Sequence, residues 1–187
     1  TGNICDKNSL QKILNEFRPE IVFHLAAQPL VRKSYQNPVS TFETNTIGTV
    51  NILDCLRNSP TVAVAVLITS DKCYENIETD YLYTETDSLG GYDPYSSSKA
   101  CAEHIASAYY RSYFREKGLG LATARAGNVI GGGDWSDDRL ISDAAKRFSQ
   151  NKKLVIRYPQ ATRPWQHVLE PISRYLKLCK KMWNLSL

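Results

Sequence analysis

The chain has 187 residues, of which 42% are hydrophobic and 22% charged, with a formal net charge of +4. That composition suits an ordinary globular domain with its own core, or one domain and part of a second. The charge is too mild and too scattered for a nucleic-acid footprint, and Lys152-Lys153 and Lys180-Lys181 read as solvated faces. The longest apolar run, 62–68, is far too short to span a bilayer, and no signal-peptide pattern opens the chain, so no membrane partner is expected. Five cysteines, an odd number without a C-x-x-C pair, argue against a disulfide framework or zinc site and for a reducing, cytoplasmic setting. His24, His104 and His167 are too scattered for a metal site.

Asp6 is placed as the N-cap of a helix over 6–17, with Leu10, Ile13, Leu14 and Phe17 as its apolar stripe, and Pro19 stops it. A short buried strand follows over 20–25. Pro38 opens a second helix, with Val39, Phe42, Val50, Leu53 and Leu56 facing the core. The run 62–69 is a strand of the unbroken apolar kind buried in parallel sheets. A long polar loop, 70–94, leads to a helix over 95–117 that ends at Gly118. A third strand is expected over 119–126, a Gly- and Asp-rich loop over 127–139, and a helix over 139–150. A short strand over 153–157 and an amphipathic helix over 164–182 complete the pattern. Leu169, Ile172, Tyr175, Leu176 and Leu178 are the candidate core residues of that last helix.

Alternating helices and apolar strands predict an α/β fold, a doubly wound parallel sheet with helices on both faces. Ligands of such sheets bind beyond the carboxyl ends of the strands. Three segments meet that criterion: Ala26-Ala27-Gln28, Thr69-Ser70-Asp71-Lys72 and Ala126-Gly127-Asn128. The helix carrying Tyr95-Ser96-Ser97-Ser98-Lys99 follows the second of them. Tyr95 and Lys99, four apart, share one helix face. A phenol near pKa ~10 is a poor base at neutral pH unless a neighbouring ammonium favours the phenolate. The pair alone is unspecific and fits a solvated helix equally well. Ser70, Asp71, Lys72, Tyr95, Lys99 and Asn128 converging on one crevice point to chemistry on a hydroxyl-bearing substrate.

His24-Leu25-Ala26-Ala27, Thr44-Asn45-Thr46-Ile47-Gly48-Thr49, Ser70 and Tyr95-x-x-x-Lys99 together resemble the extended short-chain dehydrogenase/reductase family. Longer strings resemble its CDP-glucose 4,6-dehydratase branch. These are Ala27-Gln28-Pro29-Leu30-Val31-Arg32, Thr69-Ser70-Asp71-Lys72-Cys73-Tyr74, Leu89-Gly90-Gly91-Tyr92-Asp93-Pro94-Tyr95, Ala124-Arg125-Ala126-Gly127-Asn128 and Arg163-Pro164-Trp165-Gln166-His167. The resemblance spans nearly the whole chain. It implies a Rossmann-like sheet over 1–132 without its first βα units, then the start of a substrate-binding region over 133–187. The family's Gly-rich pyrophosphate turn is not found, and Asn3 stands where an acidic residue is usual. The chain is thus expected to be truncated at both ends.

The resemblance implies NAD as cofactor and a nucleotide-sugar as substrate. The reaction it implies is CDP-glucose dehydration by hydride transfer from C4 to C6, feeding polysaccharide biosynthesis. Tyr95 is then the C4-hydroxyl base, helped by Lys99, and Ser70 steers the same oxygen. Asp71 is the acid for the C6 hydroxyl and Lys72 the base at C5; relatives acting on dTDP-glucose resemble this site with Glu at the Lys72 position. Leu25, Ala26, Ala27 and Asn45 belong with Tyr95 and Lys99 on the cofactor side, Asn45 either fixing the Tyr95 region through hydrogen bonds or serving as a structural Asn inside its helix. Gln28 and Asn128 belong on the substrate side, with Arg139, Arg157 and Arg163 for the nucleotide phosphates because guanidinium forks match phosphate oxygens. A homodimer through the Pro38 and Tyr95 helices is the family expectation. Another dehydratase or epimerase of the family, dTDP- or GDP-linked, and a non-catalytic binding fragment are the alternatives.

Overall fold

The computed structural model describes residues 2–186. Helix α1 (Lys7–Phe17) begins where Asp6 Oδ1 accepts the Ser9 N–H at 3.1 Å, and it ends where Arg18 turns left-handed at φ 46°. Strand β1 (Ile21–His24) leads to a short helix, α2 (Val31–Gln36), absent from the expected pattern. The Pro38 helix is three pieces in line: α3 (Pro38–Phe42), a π-helical turn (Glu43–Ile47) and α4 (Gly48–Arg57). Strand β2 (Val64–Ile68) ends in a 3-10 turn, Asp71–Cys73. Helix α5 (Pro94–Tyr109) continues through a π-helical turn (Tyr110–Phe114) and α6 (Arg115–Lys117) to Gly118, left-handed at φ 74° as expected.

Strand β3 (Gly120–Ala124) is followed by β4 (Asn128–Ile130), α7 (Leu140–Ser149), β5 (Trp165–His167) and α8 (Leu169–Ser186). Among the described residues the main sheet is parallel in the order β1-β2-β3, with Val66 opposite Phe23 and Ala122. The expected α/β class with a parallel sheet is therefore what the chain forms. A second, two-stranded parallel sheet joins β4 to β5, pairing Asn128 with Trp165. Gly127 permits that approach, since a Cβ there would come within 2.7 Å of Pro164 Cγ.

Strand β2 shows why its run is unbroken. Ala65 and Leu67 point into a cluster with Leu53, Leu56, Phe114 and Leu119, while Val64 and Val66 pack on the other face with Cys179, Leu178, Met182 and Trp183. Alternate residues thus serve opposite faces of one covered sheet. Each such large side chain, fully buried, stabilises the fold by about 1.5–3 kcal/mol.

Several expectations are corrected. No strand forms over 153–157, where Val155 and Ile156 are exposed and have no partner strand among the described residues. The last helix begins at Leu169, and the first part of its expected span is β5. Its sheet-facing side holds Leu178, Cys179 and Met182, leaving Leu169, Ile172 and Leu176 exposed. In α1, likewise, Leu14 is buried but Ile13 and Phe17 are exposed, as is Val39 in α3.

Candidate active site

The carboxyl ends of β1, β2 and β3 open toward the start of α5, and the local sequence sets each side chain there. Ser70 leaves β2 extended, and its Oγ accepts the Lys72 N–H at 3.2 Å, which closes the 3-10 turn. Ser70 Oγ also donates to Asp71 Oδ1 at 3.1 Å, and the Asp71 N–H donates to the Ala126 carbonyl at 3.1 Å beyond β3. Lys72 Nζ lies 3.5 Å from Asp71 Oδ1 and donates to Asn128 Oδ1 at 3.3 Å. Adjacent residues of one turn thus reach a common space, with Asn128 of β4 as the third corner.

Helix α5 is aimed by its cap. Asp93 Oδ1 accepts the Ser96 N–H at 3.0 Å, Asp93 Oδ2 accepts from Ser96 Oγ at 2.6 Å, and Pro94 occupies the first turn. Gly91, at φ 119°, lets the loop pass beneath: a Cβ there would lie 2.4 Å from Ser97 N. Ser34 of α2 accepts the Tyr95 N–H at 3.2 Å, so the unforeseen helix fixes the same end. Tyr95 and Lys99 are both buried on one face of α5. Lys99 Nζ donates to the Ile68 carbonyl at 3.1 Å.

The electrostatics differ from the expectation for Tyr95. Burial pushes its phenol above the ordinary value; the Ser70 hydroxyl and the Arg139 guanidinium work in the opposite sense, while Asp71 and Asp93 add to the rise. Burial likewise brings the Lys99 ammonium down to about 8. His24, at the end of β1, is held neutral by burial and by Lys99, with a pKa of about 4, and its Nε2 lies 3.3 Å from Thr49 Oγ1.

On the β1 side, Leu25 and Ala26 are exposed and Ala27 is half-buried, an apolar ledge beside the crevice. Asn45 is 2% exposed and spends its amide on protein: Oδ1 accepts the Gln28 N–H at 2.8 Å, and Nδ2 donates to the Gln28 carbonyl at 3.1 Å and to Ser98 Oγ at 2.9 Å. It therefore fixes the ledge to α5 and has no amide group left to touch a ligand. Gln28 turns inward too, donating from Nε2 to Thr41 Oγ1 at 3.0 Å and accepting the Leu30 N–H at 2.8 Å. That leaves its side chain occupied within the loop and not pointed at a substrate.

The three arginines separate. Arg139, at the start of α7, is near enough to act on the Tyr95 phenol, and its Nη2 donates to the Pro29 carbonyl at 3.5 Å. Arg157 joins Arg32, which sequence reasoning missed, on the carboxylate of Asp138 at 3.1 and 2.7 Å. Arg163 is exposed, donates to the Thr162 carbonyl, and has no hydrogen bond to the crevice among the described residues. Sequence reasoning also missed the buried Glu103 and the partly buried Arg125, an ion pair at 2.8 Å behind the crevice. The spacing of Glu103, one turn beyond Lys99, was the signal available. Among the described residues, no group of three or more His, Cys, Asp or Glu side chains is suited to a metal ion, and no helix is long and apolar enough to cross a membrane.

The family model for GDP-mannose 4,6-dehydratase matches residues 1–183. The chain belongs to that family. It is 50% identical over 188 residues to a CDP-glucose 4,6-dehydratase of Salmonella typhimurium, covering 98% of this chain and 52% of that one. A dTDP-glucose 4,6-dehydratase of Neisseria meningitidis is 33% identical over 120 residues, covering 59% of this chain and 34% of that one. Among solved structures, the DesIV dTDP-glucose 4,6-dehydratase of Streptomyces venezuelae, crystallised with NAD, superposes with a TM-score of 0.83 at 27% identity, over 95% of this chain and 53% of that one. The Bacillus anthracis dTDP-glucose 4,6-dehydratase, also with NAD, gives 0.83 at 27%, over 97% and 54%. The chain thus spans about half the length of that Salmonella relative. In this chain the Ser70–Lys72 turn lies at the carboxyl end of β2, and Lys99 of α5 is anchored there on the Ile68 carbonyl.

Proposed function

We propose that this chain carries the catalytic crevice of an NAD-dependent nucleotide-sugar 4,6-dehydratase acting on CDP-glucose. The observation that carries this reading is Lys72 Nζ, held between Asp71 Oδ1 and Asn128 Oδ1 in the turn beside Tyr95. A plain epimerase needs a base at O4 but no acid–base pair for C5 and O6. The 50% identity to a CDP-glucose enzyme supports CDP over dTDP or GDP as the nucleotide.

The residues fit the nicotinamide half of the cofactor. The exposed apolar residues Leu25 and Ala26 follow β1 at its carboxyl end, and Asn45 ties the adjoining Gln28 to α5, which carries the buried Tyr95–Lys99 pair, so that a flat apolar ring has an exposed face to pack on. When bound, NAD stores the hydrogen and electron pair taken from C4 and returns them to C6. Tyr95 takes the O4 proton as the ketone forms, while Ser70 holds the same oxygen. The Lys99 ammonium, anchored on the Ile68 carbonyl, supplies positive charge behind the phenol. The C4 ketone acidifies C5–H, and Lys72 removes that proton. Asp71 gives a proton to the C6 hydroxyl, which leaves as water; when the hydride has reached C6, Lys72 returns its proton to C5, and the proton taken up by Tyr95 offsets the one Asp71 gave, by exchange with solvent. The balance is one water lost, C4 oxidised and C6 reduced.

Arg139 serves the substrate's phosphates, with Arg157 and Arg32 on the adjoining rim and Arg163 farther out. Two copies pair through the Pro38 and Tyr95 helices, whose Val39, Ile47, Tyr110 and Tyr113 are exposed. The dehydratase reading is tested by incubating the protein with NAD and CDP-glucose, dTDP-glucose or GDP-mannose and measuring the alkali-absorbing 4-keto-6-deoxy product. Turnover of CDP-glucose in preference to the others supports it; turnover of another sugar, or epimerisation without loss of water, refutes it.

A further inference from the structure

Glu103 takes no part in the steps above, yet its side chain is only 4% exposed. Burying a carboxylate costs several kcal/mol unless donors and a counter-charge surround it. Here Arg125 Nη2 donates at 2.8 Å, Thr123 Oγ1 donates at 2.8 Å, and Thr69 Oγ1 donates as well. Thr69 immediately precedes Ser70. One carboxylate on α5 therefore pins the carboxyl ends of both β2 and β3. One turn earlier on the same face, Lys99 Nζ grips Ile68. Ammonium and carboxylate thus hold neighbouring residues of β2 directly upstream of the Ser70–Lys72 turn. Arg125 holds the other end of that turn: its Cζ lies 4.9 Å from the Tyr74 ring centroid, and its Nη1 donates to Tyr74 Oη at 2.9 Å.

We propose that Glu103 is a positioning residue of the active site, keeping Lys99 in its ammonium form on the Ile68 carbonyl and fixing the Ser70–Lys72 turn through Thr69 and the Arg125–Tyr74 contact. Its purpose rests on the dehydratase reading, but its test does not. Four titratable groups lie around Lys99: Tyr95 and Glu103 on its own helix, Cys73 of the 3-10 turn and His24 of β1. Burial lowers the ammonium; Glu103 and Cys73 oppose that, Glu103 the more strongly. His24 is neutral above about 4 and contributes no cation at working pH.

The experiment follows the titration of lysine ε-carbons by NMR in uniformly lysine-labelled protein, with Lys99→Arg identifying the resonance. In Glu103→Gln the Lys99 midpoint falls by about one pH unit or more, the scale on which a neighbouring opposite charge acts. Glu103→Asp, which keeps the charge, recovers most of that fall. Should the Arg125 cation prevent Glu103→Gln from folding, Glu103→Gln/Arg125→Met removes both charges together, and a smaller fall in the same direction is expected, because loss of the Arg125 cation offsets part of it. A folded variant of either kind whose Lys99 midpoint matches the parent overturns the proposal and leaves Glu103 a strand clamp. Because no turnover is read, failure of the dehydratase assay and failure of this titration are separate results.

Discussion

Asn45 Nδ2 donates to Ser98 Oγ at 2.9 Å, and Ser98 Oγ in turn donates to the Tyr95 carbonyl at 2.7 Å. Through Gln28 the same amide holds the loop after β1. The π-helical turn at Glu43–Ile47 carries this residue, in keeping with the tendency of such turns to occur at functional sites.

Replacing Asn45 by Ala strands the Gln28 N–H and carbonyl and leaves Ser98 without its donor. Leaving buried polar groups unpaired costs about 1–3 kcal/mol. Urea unfolding is expected to show a lower midpoint at an unchanged slope.

His24 makes the fold sensitive to acid. Unfolded, its ring takes up a proton as pH falls through about 6.5; folded, it stays neutral until about 4. Its contribution is complete above pH 6.5 and is lost as pH falls through that window, reaching roughly 3 kcal/mol at pH 4. Denaturant titrations at pH 7, 5.5 and 4 measure it, and His24→Gln is expected to flatten this part of the profile.

Asp93 has two separable effects. Asp93→Ala removes the N-cap of α5 and costs about 1 kcal/mol, whereas Asn caps as well as Asp. Asp93→Asn therefore keeps the stability but removes a carboxylate that raises the Tyr95 phenol. Tyrosine-labelled NMR is expected to show the Tyr95 midpoint lower in Asp93→Asn than in the parent.

The main sheet was legible because its central strand β2 is buried on both faces and reads as an apolar run, and the capping residues Asp6, Pro38 and Gly118 lie beside the helices they bound. Strands β4 and β5 were not, because three-residue strands carry no period and their pairing joins Asn128 to Trp165 across the chain. The 153–157 run has β propensity but no neighbour to satisfy its backbone. In α8 both sides carry apolar residues, and only the position of β2 decides that Cys179 and Met182 go inward. Ser70, Asp71, Lys72, Tyr95 and Asn128 were found together because each follows a strand or opens a helix. The bonding of Asn45 toward the Tyr95 region was expected from the resemblance, whereas the inward turn of Gln28 depends on a loop–helix contact that no local pattern marks.

Lys72→Met and Asp71→Asn are expected to separate oxidation from elimination. Each lowers 4-keto-6-deoxy product by about 10²-fold or more, the usual worth of a positioned acid or base. Oxidation at C4 persists, so a 4-keto sugar still bearing its C6 hydroxyl accumulates. Borodeuteride trapping detects it as C4-labelled hexose in both epimeric forms. Equal loss of trapped hexose and product would place these residues in the oxidation step instead.

The central claim is an internal oxidation–reduction assembled on Tyr95, Lys99 and the Ser70–Lys72 turn, and the fate of one hydrogen tests it most directly. CDP-glucose carrying deuterium at C4 is incubated with the protein and NAD, and the product is analysed by NMR. Deuterium in the C6 methyl group of the 4-keto product, absent with Tyr95→Phe, is the predicted result. Product whose methyl group draws all its hydrogens from unlabelled sources, or labelled product formed undiminished by Tyr95→Phe, would contradict the account.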